Sequence, residues 1–140
     1  MGKSPNLKRW IIEQLREYRI YCFYYFFYSG NLETIVEHGI LPYNRVKALG
    51  IEHSSFAETS VQEKRDIKEV WLTGGEKANA HDLVPLYLRT RTPTLYARRE
   101  DQDHFIIAMI GSYVLLEDNI QYAFTDGNLA SEMTRTFYNL

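Results

Sequence analysis

The sequence holds a single cysteine, Cys22. That excludes a disulfide framework and any multi-cysteine metal site, and it fits a reducing cytosol. The four histidines, at positions 38, 53, 81 and 104, include no pair at H-x-x-x-H spacing, so neighbouring ligands for zinc are lacking. There is no G-x-G-x-x-G loop, no G-x-x-x-x-G-K-[ST] loop and no G-x-S-x-G elbow. The common phosphate-cradling turns and the hydrolase nucleophile turn are therefore excluded. An excess of positive charge is missing too. Lys and Arg number 16 against 18 Asp and Glu, a net charge of -2, which argues against a histone-like binder or a polybasic tail. No apolar run reaches the ~20 residues that a membrane helix needs, and no secretory leader pattern is present. The expectation is a cytoplasmic protein with no membrane partner.

Aromatic residues are what the chain has in excess. There are 11 Tyr, 7 Phe and 2 Trp, 14% of 140 residues. They are concentrated at Tyr21-Cys22-Phe23-Tyr24-Tyr25-Phe26-Phe27-Tyr28, where every residue but the cysteine is aromatic. The length fits a single domain, residues 1–140, large enough to bury a core without disulfides. There is no internal repeat and no low-complexity linker.

Ser4-Pro5 reads as a helix start, a capping hydroxyl followed by a proline in the first turn. Leu7, Trp10, Ile11, Leu15 and Tyr18 follow at helical spacing. Residues 20–28 read as a buried strand, ended by Ser29-Gly30. Asn31 is placed to cap a short helix with Glu33 in its first turn and Gly39 as its stop. The order S-V-Q-E from Ser60 to Glu63 is a capping box that opens a helix carrying Gln62 and Arg65. Residues 73–79 read as a polar loop. Residues 84–88, 94–97, 105–110 and 122–125 read as strands, closed at Asp126-Gly127. Asn128 starts a last helix with Leu129, Met133 and Phe137 on one face. Strands mixed with short helices imply an α+β domain rather than a βαβ repeat, with 20–28, 84–88, 105–110 and 122–125 in its sheet.

Four segments together carry a resemblance. They are Gly30-Asn31-Leu32 through Gly39-Ile40-Leu41, with Asn44-Arg45-Val46 after it; Val61-Gln62-Glu63-Lys64-Arg65; His81-Asp82-Leu83-Val84-Pro85-Leu86-Tyr87 with Arg91-Thr92-Pro93-Thr94-Leu95-Tyr96-Ala97; and Phe124-Thr125-Asp126-Gly127-Asn128 with Met133-Thr134-Arg135. Their order and spacing over residues 24–138 resemble the DarT family, bacterial toxins that ADP-ribosylate DNA. The resemblance implies an ADP-ribosyltransferase-like split β-sheet with short flanking helices and NAD in its cleft, NAD being the substrate and no metal being needed. It implies DNA as the acceptor, single-stranded, and a macrodomain antitoxin as the partner of a toxin.

The resemblance also assigns residues. Arg65 matches the arginine that contacts NAD and supports catalysis, a guanidinium suited to a pyrophosphate. Gln62, one turn earlier, and Asn31 would line the same cofactor site. His81, Tyr87 and Arg91 would meet the DNA strand, in a stretch from Pro85 to Arg99 that has no acidic residue and holds Arg89, Arg91, Arg98 and Arg99. Such a stretch suits phosphates with interleaved rings. Each has a plainer reading: Arg65 as a solvated helix charge, Gln62 and Asn31 as capping residues, His81 as a loop anchor, the arginines as exposed strand charges. Two departures stand out. The family carries Y-H-x-T-H where this chain has Tyr24 to Tyr28, so Phe27 replaces a threonine hydroxyl. The family's catalytic glutamate falls beyond the F-T-D-G segment, past Leu140, so weak or absent catalysis is expected of these 140 residues. The alternatives are a catalytically inactive module of the same fold that binds nucleotide or nucleic acid, and an interaction protein whose aromatic strand buries a homodimer contact. Because no ligand set has metal spacing, treatment with a chelator is expected to leave the melting temperature unchanged. A drop in melting temperature reversed by added zinc would contradict this.

Overall fold

A computed structural model describes residues 2–52, 68–127, 129, 131 and 133–137. The helix expected from Ser60, with Gln62 and Arg65, lies outside the described residues. The elements are α1 (Pro5–Glu17), β1 (Cys22–Tyr28), α2 (Leu32–His38), α3 (Tyr43–Ala48), β2 (Glu69–Trp71), β3 (Lys77–Asn79), α4 (Pro93–Ala97), β4 (Phe105–Gly111), β5 (Phe124–Thr125) and β6 (Thr136–Phe137). Short 3-10 turns at Ser29–Asn31, Ala80–Asp82, Arg99–His104 and Ser112–Leu116 join them. The α+β expectation holds.

Helix α1 starts as its sequence dictates. The Ser4 hydroxyl accepts the Leu7 N–H at 3.2 Å, and Pro5 opens the first turn. Ile11 and Leu15, one turn apart on one face, are buried against Phe23 of β1 and Leu115. Leu7, Trp10, Ile20, Leu86, Val114, Leu116, Tyr122 and Phe124 surround this cluster. The helix ends where Arg19 turns into the left-handed region at φ 54°, letting the Ile20 N–H reach the Leu15 carbonyl at 2.8 Å. Ahead of the helix, the Lys3 ammonium binds the Glu117 and Ile120 carbonyls. Lys8 pairs with Asp118 at 2.7 Å, and this bond holds the Asp118 carboxyl below the usual carboxylate range.

Strands β1 and β4 pair antiparallel from Cys22 opposite Gly111 to Tyr28 opposite Phe105. Both were legible from their β-branched and aromatic composition. The expected strand 84–88 is not formed. Only Tyr87 bridges β1, its N–H and C=O bonding the Tyr24 C=O and N–H at 2.9 and 2.8 Å. The reason is Pro85. The next pair on that edge would set residue 85 against Phe26, and proline has no N–H to give. Among the described residues the expected sheet of four segments is instead three two-stranded sheets, β1-β4, β2-β3 and β5-β6.

Three further expectations are corrected. Residues 94–97 form helix α4, not a strand. The Thr92 hydroxyl accepts the Leu95 N–H at 3.2 Å and Pro93 starts the helix, the same chemistry as Ser4-Pro5. Residues 77–79, read as part of a loop, form β3 opposite β2, and the tight turn between them needs Gly75 at φ 79°. No helix contains Leu129, Met133 and Phe137 among the described residues. Asp126 accepts the Arg135 N–H at 2.8 Å and the guanidinium at 3.2 Å, which folds the chain back so that Phe137 opposes Phe124. That backbone donation, ahead of the guanidinium, holds the Asp126 carboxyl low. Met133, placed on the expected apolar face, is 88% exposed. No helix among the described residues is long and apolar enough to cross a membrane.

Two outcomes follow from the core. Ile11, 2% exposed, leaves a cavity when truncated, so Ile11→Ala is expected to cost about 2–5 kcal/mol in a denaturant titration. Burial pushes the Tyr122 hydroxyl up to about 12, against about 10 in an unfolded chain. Between those values the unfolded chain binds fewer protons, so the stability this group contributes is complete below pH ~10 and falls as pH rises toward 12. Tyr122→Phe is expected to move alkaline unfolding to higher pH. An unchanged midpoint would contradict it.

Candidate functional site

Side chains alternate along β1. Tyr24, Phe26 and Tyr28 share one face with Met109, Ile107 and Phe105 opposite them, while Phe23, Tyr25 and Phe27 share the other with Ile110, Ala108 and Ile106. On the second face Phe23 enters the α1 core. Beside it, Tyr25 and Phe27 stack with centroids 5.9 Å apart, and burial raises the Tyr25 hydroxyl above its ordinary pKa. On the first face the Tyr87 ring lies 4.9 Å from Phe26 and Tyr28 lies 4.9 Å from Phe105. Phe26 and Phe27 are both buried. The aromatic run is therefore a strand packed on two faces, an apolar floor with hydroxyls at its tyrosines.

Asn31 occupies the position before α2 but makes no capping bond with its side chain. The strand runs straight into the 3-10 turn Ser29–Asn31, so Asn31 already has helical backbone angles, φ -91° and ψ -1°. A capping residue is normally extended, which aims its side chain back at the first free N–H groups. The capping expectation for Asn31 is corrected on that ground. Gly39, at φ 80°, closes α2 as expected.

His81 lies in the turn Ala80–Asp82, 3% exposed. Its ring sits 4.5 Å from the Tyr43 ring of α3. The adjacent residues join the same elements, the Asn44 amide donating to the Asp82 carboxylate at 2.8 Å. Asn79 and Asp82 form a reciprocal capping box around the turn, with the His81 N–H on the Asn79 amide oxygen at 2.9 Å and the Asn79 N–H on Asp82 at 3.3 Å. The two motifs that contain Asn44 and His81-Asp82 thus meet in space. An open groove lined by Pro42, Asn44, Arg45, Ala48 and Asp82 runs along this contact.

Tyr87 is brought to the edge of β1, and Arg91 stands exposed in the segment that leads to α4. The Tyr87 hydroxyl and the Thr94 hydroxyl lie 3.4 Å apart, tying α4 to the strand. Of the residues read from sequence, Asn31 and Tyr87 adjoin β1, His81 packs under α3 and Arg91 is on the surface. Gln62 and Arg65 lie outside the described residues. Sequence reasoning missed the Asn44–Asp82 contact and the α4 anchor. The N-x-x-D order at residues 79–82 and the Thr92-Pro93 pair were the signals for them. Among the described residues no group of three His, Cys, Asp or Glu side chains is placed to hold a metal ion.

The fold is similar to two solved structures. Thermus sp. 2.9 DarT, solved in complex with ADP-ribosylated ssDNA, superposes with a TM-score of 0.73 at 23% identity, over 85% of this chain and 58% of that one. Thermosipho africanus DarTG, solved in complex with ADP-ribose, gives 0.70 at 23% identity, over 85% of this chain and 31% of that one. The chain thus spans less than two thirds of either. No curated protein matches it. The family described as ssDNA thymidine ADP-ribosyltransferase, DarT, matches residues 24–140, and with a matching fold as well the chain belongs to the DarT family.

Proposed function

We propose that this chain is the NAD-binding and DNA-binding part of a DarT-type toxin that transfers ADP-ribose from NAD to a base of single-stranded DNA, thymidine being the acceptor the family description names. The observation that carries the reading is the family match over residues 24–140. The likeness to a DarT solved with ADP-ribosylated ssDNA supports it. In the reaction the bond between nicotinamide and ribose breaks, positive charge develops on the ribose, and a base atom attacks the anomeric carbon. Nicotinamide leaves as a neutral ring and the base gives up its proton. NAD here is a substrate, and a macrodomain antitoxin is the partner this reading implies.

The chain's own residues would divide the work. Arg65 holds the pyrophosphate, and Gln62 and Asn31 take part in binding NAD. The β1 aromatics form an apolar floor that excludes water, which strengthens every polar contact made on it. Tyr87 and His81 fix the wall beside that floor, and Arg91 meets the phosphates of the strand. A second reading, nucleotide binding without transfer, is favoured by one observation: Phe27 is buried and offers no hydroxyl where the family carries threonine.

Calorimetry with NAD separates these roles. Arg65→Ala is expected to weaken NAD binding by roughly 1.5–3 kcal/mol, the worth of a hydrogen bond to a charged group. Arg91→Ala is expected to leave NAD affinity alone and to weaken single-stranded DNA binding, with a shallower salt dependence. Release of nicotinamide that rises when single-stranded DNA is added supports transfer. NAD binding with no release on adding DNA supports the second reading, and NAD binding unchanged in Arg65→Ala contradicts the assignment of that residue.

A further inference from the structure

We propose that Tyr96 and Arg99 form a stacking platform for one base of the bound strand, beside the β1 floor. This deepens the DNA-binding half of the reading above and rests on it. Tyr96 projects from α4 and is 69% exposed. The Arg99 guanidinium lies over its ring, 4.6 Å from the centroid, and also donates to the Tyr96 carbonyl at 3.1 Å. One contact is to the ring and the other to the backbone of the same residue, and together they hold the guanidinium over the ring. An aromatic ring held in place by a cation is suited to a flat partner, because little side-chain freedom remains to be lost on binding.

The platform has a fixed place. Helix α4 is capped by Thr92, its Thr94 hydroxyl lies 3.4 Å from the Tyr87 hydroxyl, and Tyr87 is bonded through its backbone to Tyr24 of β1. A base on Tyr96 would therefore be held in register with the floor. The surrounding charge selects the ligand class. Arg89 and Arg91 are exposed on the segment leading to α4, and no acidic residue occurs from Pro85 to Arg99. Glu100, Asp101 and Asp103 in the turn Arg99–His104 border it on the other side. The strand then runs from Tyr96 toward Arg91, away from those carboxylates. Rings and guanidinium groups with carboxylates confined to one border suit a nucleic-acid single strand on the other side, since every base offers a π-face and every linkage a negative charge.

Fluorescence anisotropy of a labelled oligothymidylate, titrated with the whole chain at several salt concentrations, tests this. Tyr96→Ala is expected to weaken binding about tenfold or more, and Tyr96→Phe, which keeps the ring, to stay within about twofold of the parent. Arg99→Gln is expected to weaken binding and lower the salt slope by about 0.7. NAD affinity should be unchanged in all three, and circular dichroism should show the same melting curve. An oligothymidylate affinity indifferent to Tyr96→Ala overturns the platform while leaving the DNA reading intact. Equal losses in Tyr96→Ala and Tyr96→Phe overturn stacking in favour of a hydroxyl contact. No oligothymidylate binding by the parent chain overturns both readings.

Discussion

Two backbone hydrogen bonds between Tyr24 and Tyr87, 2.8 and 2.9 Å long, join the aromatic strand to the segment that leads to α4. Through them Tyr87 is set at one edge of β1, while β4 takes the other. On the side of Phe26 the pairing stops at Pro85, which has no N–H to donate. Beyond Tyr87 the chain leaves the strand, and Thr92 and Pro93 start α4 within a few residues. The helix returns to the strand through Thr94 and Tyr87.

The rest of the packing supports that edge from behind. Phe23, Ile11, Leu15 and Leu115 form the buried cluster under the start of β1. Phe26 and Phe27 point to opposite faces yet are both buried, so the middle of the strand is held on two sides. Apolar burial at about 25 cal/mol per Å² makes such rings the main stabilising contribution. The exposed ion pairs, Arg9 with Glu13 and Lys77 with Glu69, contribute little by comparison. The Asn44–Asp82 bond and the Tyr43–His81 contact act differently. They set where α3 lies and tie two motifs that are far apart in sequence.

Much of this was legible in the sequence. Ser4-Pro5, the aromatic strand, Gly39 and the 105–110 strand follow from local chemistry, and all are present. The misreadings have a common cause. Residues 94–97 and 84–88 carry β-favouring side chains, but a proline decided each case, starting a helix at Pro93 and stopping a ladder at Pro85. Asn31 was read as a cap from its type, and the turn before it set the backbone otherwise. The hairpin of β5 and β6 depends on the Asp126–Arg135 contact, which no helical or strand period reveals. Of the site, the motif order identified the family, because motifs survive where patterning is ambiguous. Tyr96 with Arg99 needed coordinates, since a ring and a cation three residues apart meet only when the backbone turns between them.

The chain belongs to the DarT family, and base modification is the central proposal. Mass spectrometry of a thymidine-containing single-stranded oligonucleotide, after incubation with the protein and NAD, tests it most directly. The account predicts weak transfer, a minor fraction of the oligonucleotide heavier by one ADP-ribosyl group, with the added mass on thymidine and absent when NAD is withheld. An oligonucleotide of unchanged mass, under conditions where the protein binds both NAD and the strand, would contradict it.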